Sequence, residues 1–148
     1  MIARLSMGDG NNGPNTPTLP STAHVLVSRL VAEGVAAAGH PIRPSHSLVF
    51  GQLGPEGARL TGMARVANVT PQAMSELVDE LESMGYVERT PDPTDRRAKL
   101  IVLTEQGRAC SRDGAEVIHR IELHLTELLG EDGHRTLRQL LGRMLDDP

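Results

Sequence analysis

Apolar residues from Ser21 onward fall at Ala23, Leu26, Val27, Leu30, Val31, Val35 and Ala38. That is the three-and-four spacing of an amphipathic helix, with Ser21 or Thr22 as its cap and Gly39 as its stop. Pro41 and Pro44 break the chain, and a second short helix is predicted from about Pro44 to Leu53, carrying Leu48, Val49 and Leu53. Gly54, Pro55, Glu56 and Gly57 then read as a turn. Leu60 to Ala67 returns to helical spacing, with Leu60, Met63, Ala64 and Ala67 inward. Asn68 and Val69 make a tight turn into the next helix, which Thr70 caps and Pro71 opens. Its stripe is Met74, Leu77, Val78 and Leu81, and Gly85 ends it.

The period then changes. Tyr86, Val87, Arg89 and Thr90 suit a strand. Pro91 to Asp95 reads as a tip, and Lys99 to Leu103 as the returning strand. Thr104 caps a long helix with Val117, Ile118, Ile121, Leu125, Leu128 and Leu129 on one stripe, up to a stop at Gly130. A last helix carries Leu137, Leu140, Leu141, Met144 and Leu145. The first 20 residues are rich in Gly, Asn, Pro and Thr and have no period, so they read as a disordered tail. Met1 and Met7 are both candidate starts.

This order predicts a mainly α fold with a small β-hairpin. Two helices joined by a tight turn and followed by a hairpin with Arg96 and Arg97 at its tip make a winged helix-turn-helix. Its second helix would enter a major groove, and its wing arginines would touch the backbone or the minor groove. A single unit is expected over residues 21–148, with the winged part at about 44–103. The helices at about 21–39 and 104–146 exceed what the winged part needs to cover its core. Their spare apolar faces call for a second copy or for a monomeric bundle.

Composition narrows the function. Aromatic residues are 1% of the chain, so the core must be aliphatic. A net charge of -4 and a pI near 5.8 exclude a protein that coats nucleic acid indiscriminately. Charge is nevertheless uneven: Arg89, Arg96, Arg97 and Lys99 gather in the hairpin, while Glu122, Glu127, Glu131, Asp132, Asp146 and Asp147 lie toward the end. The single cysteine, Cys110, rules out an intramolecular disulfide framework and reads as a small buried hydrophobe. No apolar run has membrane-spanning length and no apolar segment follows Arg4, so a cytoplasmic setting without membrane contact is expected. Six histidines form no HExxH, and His119 and His124 are five apart, off one helix face. No metal site, cofactor or catalytic constellation emerges, and an enzyme is not expected.

The run GYVERTPDPTDRRAKLIVLTEQG, Gly85 to Gly107, resembles the signature of MarR-type transcription regulators. That signature is a Gly-aromatic-Val-x-Arg strand, a DPxDRR wing tip and a strand ending in LTxxG. The resemblance extends more loosely over about 22–145. It implies a homodimer in which the first and last helices of two copies interleave. It also implies a repressor of a pseudo-palindromic double-stranded DNA operator, relieved by a small-molecule effector. Near the start of the recognition helix, Thr70, Gln72, Ala73, Ser75 and Glu76 are the candidate DNA contacts. A glutamine can read adenine bidentately, an alanine can meet a thymine methyl, and a helix N-terminus suits phosphate. In the wing, Asp95 matches the family acid that braces a minor-groove arginine, Arg97, while Arg96 meets phosphate. His46 lies on the helix that in the family helps to line a ligand pocket; contact with a ligand and helix packing are both open for it. Redox-sensing relatives carry a reactive cysteine in the first helix, which has none here.

The chain departs from the family at Glu76 and Glu80, where many relatives carry arginine. With Asp79 and Glu82, these acids motivate a rival reading, a winged protein-interaction module without DNA affinity. A ligand-independent DNA binder is the other alternative.

Overall fold

In a computed structural model, residues 13–146 are described, except for the side chain of Arg96. The expected disordered tail therefore lies largely outside the described residues. Its last part does not match the expectation, because helix α1 spans Thr18–Ala37 and begins before Ser21. The Asn15 carboxamide oxygen accepts from the Thr18 backbone N–H at 3.1 Å and from its hydroxyl at 2.7 Å. Neither Ser21 nor Thr22 is the cap.

The second helix is shorter than its pattern suggested. A single 3-10 turn, Pro44–His46, leads into α2, Ser47–Phe50. Gly51 ends it, and the Gln52 side chain donates to the Leu48 carbonyl at 2.7 Å. Leu53 reaches the core from the loop that follows.

Strand β1, Ala58–Arg59, has no counterpart in the sequence reading. Two residues cannot display a period of two. It is followed without a break by α3, Leu60–Val66, and then by α4, Pro71–Ser83. Strands β2, Val87–Asp92, and β3, Asp95–Leu103, form the hairpin. The antiparallel sheet has the order β1-β3-β2, with Arg59 opposite Leu100 and Val87 opposite Leu103. The tip is only Pro93 and Thr94, narrower than the expected Pro91 to Asp95. Pro91 is tolerated because β2 is an edge strand, and the register is irregular just after it.

Helix α5 spans Glu105–Asp146 and is interrupted at Gly130, whose φ of 70° and ψ of 162° are not helical. The break expected at that glycine is therefore present. Thr104 caps α5: its hydroxyl accepts from the Gly107 N–H at 3.1 Å and donates to the Gly85 carbonyl at 2.6 Å. Gly107 is the glycine of the LTxxG motif. A Cβ there would lie 2.0 Å from the Tyr86 carbonyl oxygen, so only glycine lets α5 approach the end of the recognition helix this closely.

The core joins Val35 of α1, Val49 of α2, Met63 and Ala64 of α3, and Met74, Val78 and Leu81 of α4. Tyr86, Val87, Ile101 and Cys110 complete it. It is aliphatic, as one Tyr and one Phe require. Outside it, Leu26 of α1 and Ile118, Leu128, Leu129, Leu140, Leu141, Met144 and Leu145 of α5 remain exposed. No helix of the described residues is long and apolar enough to cross a membrane.

Candidate nucleic-acid interface

Helices α3 and α4 are joined at Asn68, the one described non-glycine residue with a positive φ, 54°. Asparagine tolerates this left-handed conformation, and it lets the Val69 N–H return to the Ala64 carbonyl at 3.0 Å. Thr70 then caps α4, its hydroxyl oxygen accepting from the Ala73 N–H at 3.1 Å. Met74, Val78 and Leu81 turn fully inward, which leaves the opposite face at the helix start to solvent. Thr70, Gln72 and Glu76 are exposed there, and Ala73 and Ser75 are half-buried. The Gln72 amide donates to Glu76 across one turn at 3.4 Å.

The other acids of α4 are matched by cations from neighbouring elements. Glu80 pairs with Arg43 and also meets Nε2 of His46 at 3.0 Å. These two bonds, His46 foremost, hold its carboxyl below the usual glutamate range. Arg89 of β2 bonds Asp79 at 2.6 Å and Glu82 through its guanidinium, and its backbone N–H donates to Glu82 at 3.2 Å. The Arg89 counted in the basic hairpin is thus committed to the recognition helix. Among the described residues, no cation pairs with Glu76.

His46 is buried, and both ring nitrogens are used. The Arg43 N–H donates to Nδ1 at 3.1 Å, so Nε2 carries the proton that Glu80 accepts. Of its two open roles, this geometry favours packing: the ring ties the turn before α2 to α4.

The wing tip is held by residues that sequence reasoning missed. Asp92 is buried, and one oxygen accepts from the Thr94 N–H at 2.8 Å and from the Thr94 hydroxyl at 2.7 Å. The other oxygen accepts from Arg59 Nε at 2.7 Å. The Thr94 hydroxyl, then the Thr94 N–H, then Arg59 draw the Asp92 carboxyl down to about 2. Arg59 also reaches Asp95 at 3.8 Å. Asp95 accepts from the backbone N–H of Arg97 at 3.0 Å, so it braces the main chain of that residue. The Arg97 side chain stands exposed, and Lys99 is exposed beside it. The expected phosphate contact of Arg96 involves a side chain outside the described residues. The only advance signal for Asp92 was its place in DPxDRR; nothing local marked Arg59.

Cys110 is buried, and burial followed by the nearby Asp113 carboxylate pushes its thiol up to about 11. It is not a nucleophile at neutral pH. Among the described residues, no three His, Cys, Asp or Glu side chains are grouped to hold a metal ion.

The sequence pattern of the MarR family matches residues 54–99. The multiple antibiotic resistance protein MarR of Escherichia coli strain K12 is 34% identical over 85 residues, 56% of this chain and 58% of that protein. The match therefore spans less than two thirds of that relative's length. The transcriptional repressor CouR, solved on a 23-mer DNA duplex, superposes with a TM-score of 0.72 at 28% identity, over 88% of this chain and 92% of that one. CouR from Rhodococcus jostii RHA1, solved with p-coumaroyl-CoA, superposes with a TM-score of 0.69 at 29% identity, over 90% of this chain and 94% of that one.

Proposed function

We propose that the chain belongs to the MarR family and is a homodimeric, sequence-specific DNA-binding transcription regulator, a repressor relieved by a small ligand. The observation that carries this reading is the shared scaffold of the exposed start of α4 and the wing. Both project from one core, and the acids behind the recognition surface are neutralised from within. The likeness over most of the chain to a repressor solved on DNA supports it.

In this reading Gln72, Ala73, Ser75 and Glu76 face base edges, and Thr70 with the helix N-terminus meets phosphate. Arg97 enters the minor groove and Arg96 grips the backbone. Residues 21–148 act as one unit, with the winged part at about 44–103. The exposed leucines of α1 and α5 cover one another across two copies, which sets two recognition helices on a pseudo-palindromic site in the cytoplasm. No catalytic role is proposed. The effector is proposed by likeness to CouR, whose complex holds p-coumaroyl-CoA.

A second reading, a protein-interaction module, is favoured by one observation: Glu76, with no cation of its own, sits where DNA would approach. Titration of fluorescent duplex from the region flanking its own gene, at rising salt, with and without candidate ligands, separates the two. For DNA binding, log affinity falls against log salt by about 0.9 for each phosphate neutralised. A slope near zero would favour the interaction module.

A further inference from the structure

We infer that Arg59, which lies outside both the recognition helix and the wing, is a positioning residue for DNA reading: its guanidinium clamps the wing tip in the form that presents Arg97. The inference rests on the DNA-binding reading above and extends it to a residue outside the Gly85 to Gly107 signature.

Three features lead to it. First, the backbone of Arg59 is fixed at both ends of its reach. It pairs with Leu100 in the sheet, and Leu60 after it begins α3. Its guanidinium starts from the body that carries the helix-turn-helix. Second, that guanidinium spans β3 to reach Asp92 at the end of the far strand, donating from Nε at 2.7 Å and lying 2.5 Å away through Nη2. Both nitrogens converge on one oxygen, Oδ2, while Oδ1 is held by Thr94; the adjacent N–H groups of a guanidinium allow this double contact. Third, each carboxylate that it meets is bonded to the main chain of the tip. Asp92 holds the Thr94 N–H at 2.8 Å, and Asp95 holds the Arg97 N–H at 3.0 Å. Arg59 thus draws together the two acids that flank the Pro93-Thr94 tip, and Arg97 follows two residues after Asp95.

A two-residue tip on an edge strand has few contacts of its own and would otherwise sample several forms. Fixing it beforehand removes the ordering entropy from the binding step. Arg59 itself needs no DNA contact for this.

The test uses the full-length protein. Wild type first selects its site from a random duplex pool, and that site is then made with A·T or G·C flanks. Affinities are measured for wild type, Arg59→Ala, Arg97→Ala and the double variant. Arg97→Ala is expected to lose roughly 5- to 150-fold, with its A·T preference. Arg59→Ala is expected to lose at least about fivefold and the same preference. The double variant should be within about twofold of Arg97→Ala, because both changes remove one interaction. Arg59→Lys should recover part of the loss, since an ammonium can still pair with Asp92.

Additive losses, with a salt slope about one unit lower for the double variant than for Arg97→Ala, would mean that Arg59 touches phosphate itself, and would overturn the inference. So would an Arg59→Ala protein with wild-type affinity and flank preference while Arg97→Ala is impaired; the DNA-binding reading would then stand without it. A wild type that selects no sequence would fell both. If Arg59→Ala fails to fold by circular dichroism, Asp92→Asn replaces it and must show the same loss of A·T preference.

Discussion

The carboxylate of Glu80, on the outer side of α4, lies 3.0 Å from Nε2 of His46, whose ring is buried beneath it. One acid of the recognition helix thus serves as an anchor. Arg43 contributes twice, through its guanidinium to Glu80 and through its N–H to the other nitrogen of the same ring. An acidic recognition helix is therefore not an anionic one throughout.

His46→Ala should remove a filled core position and two hydrogen bonds. A loss of about 2–4 kcal/mol is expected, with α4 no longer held at its middle. Urea unfolding of variant and wild type measures it. An unchanged midpoint would mean that the ring does not support the fold, and would reopen the ligand role for His46.

Acid should loosen the wing clamp only as pH falls toward 2. Asp92 has its carboxyl lowered from 3.8 to about 2, so folding favours its charged form. That contribution is whole above about 3.8 and fades as pH falls through about 2. The Thr94 amide resonance, which reports the bond to Asp92, should titrate with a midpoint near 2. A midpoint at the ordinary aspartate value would show that the clamp is not formed in solution.

Leu141 should be part of a dimer contact. It is 40% exposed, beside Leu140, Met144 and Leu145 on the second arm of α5. In a dimer, Leu141→Glu would bury an unpaired charge and split or unfold the assembly. Sedimentation equilibrium at micromolar concentration should give a dimer for wild type and a monomer or unfolded chain for the variant. A wild-type monomer would defeat the proposal.

The two adjacent wing arginines should behave differently. Arg97→Ala should weaken operator binding by about 1–3 kcal/mol and relax the preference for A·T flanks. Arg96→Ala should weaken all duplexes alike and lower the salt slope by about one. Asp95→Asn should resemble a milder Arg97→Ala, because the arginine stays while the bond that orients its backbone weakens. Equal, sequence-blind losses for both arginines would mean that the wing only grips the backbone.

The sequence alone determined much of what depends on neighbours within one or two turns, though not the start of α1, where Asn15 accepts from Thr18. The inward residues of α3 and α4 followed from spacing, and the caps Thr70 and Thr104 from the chemistry of unpaired N–H groups. The stops at Gly85 and Gly130 followed from the left-handed φ that glycine adopts freely. Asn68 was legible for a related reason. Tertiary structure decided the rest. Strand β1 exists because β3 is there to pair with it, and the tip shrank because β2 lies at an edge where Pro91 needs no donor. The charges were the least legible part. Arg59 meets Asp92 across 33 positions and His46 meets Glu80 across 34, distances over which no periodicity carries information. A charged residue reads the same in sequence whether it faces water, DNA or another charge. Only the packing of distant elements decides which, because the strength of an ion pair depends on separation and burial in space.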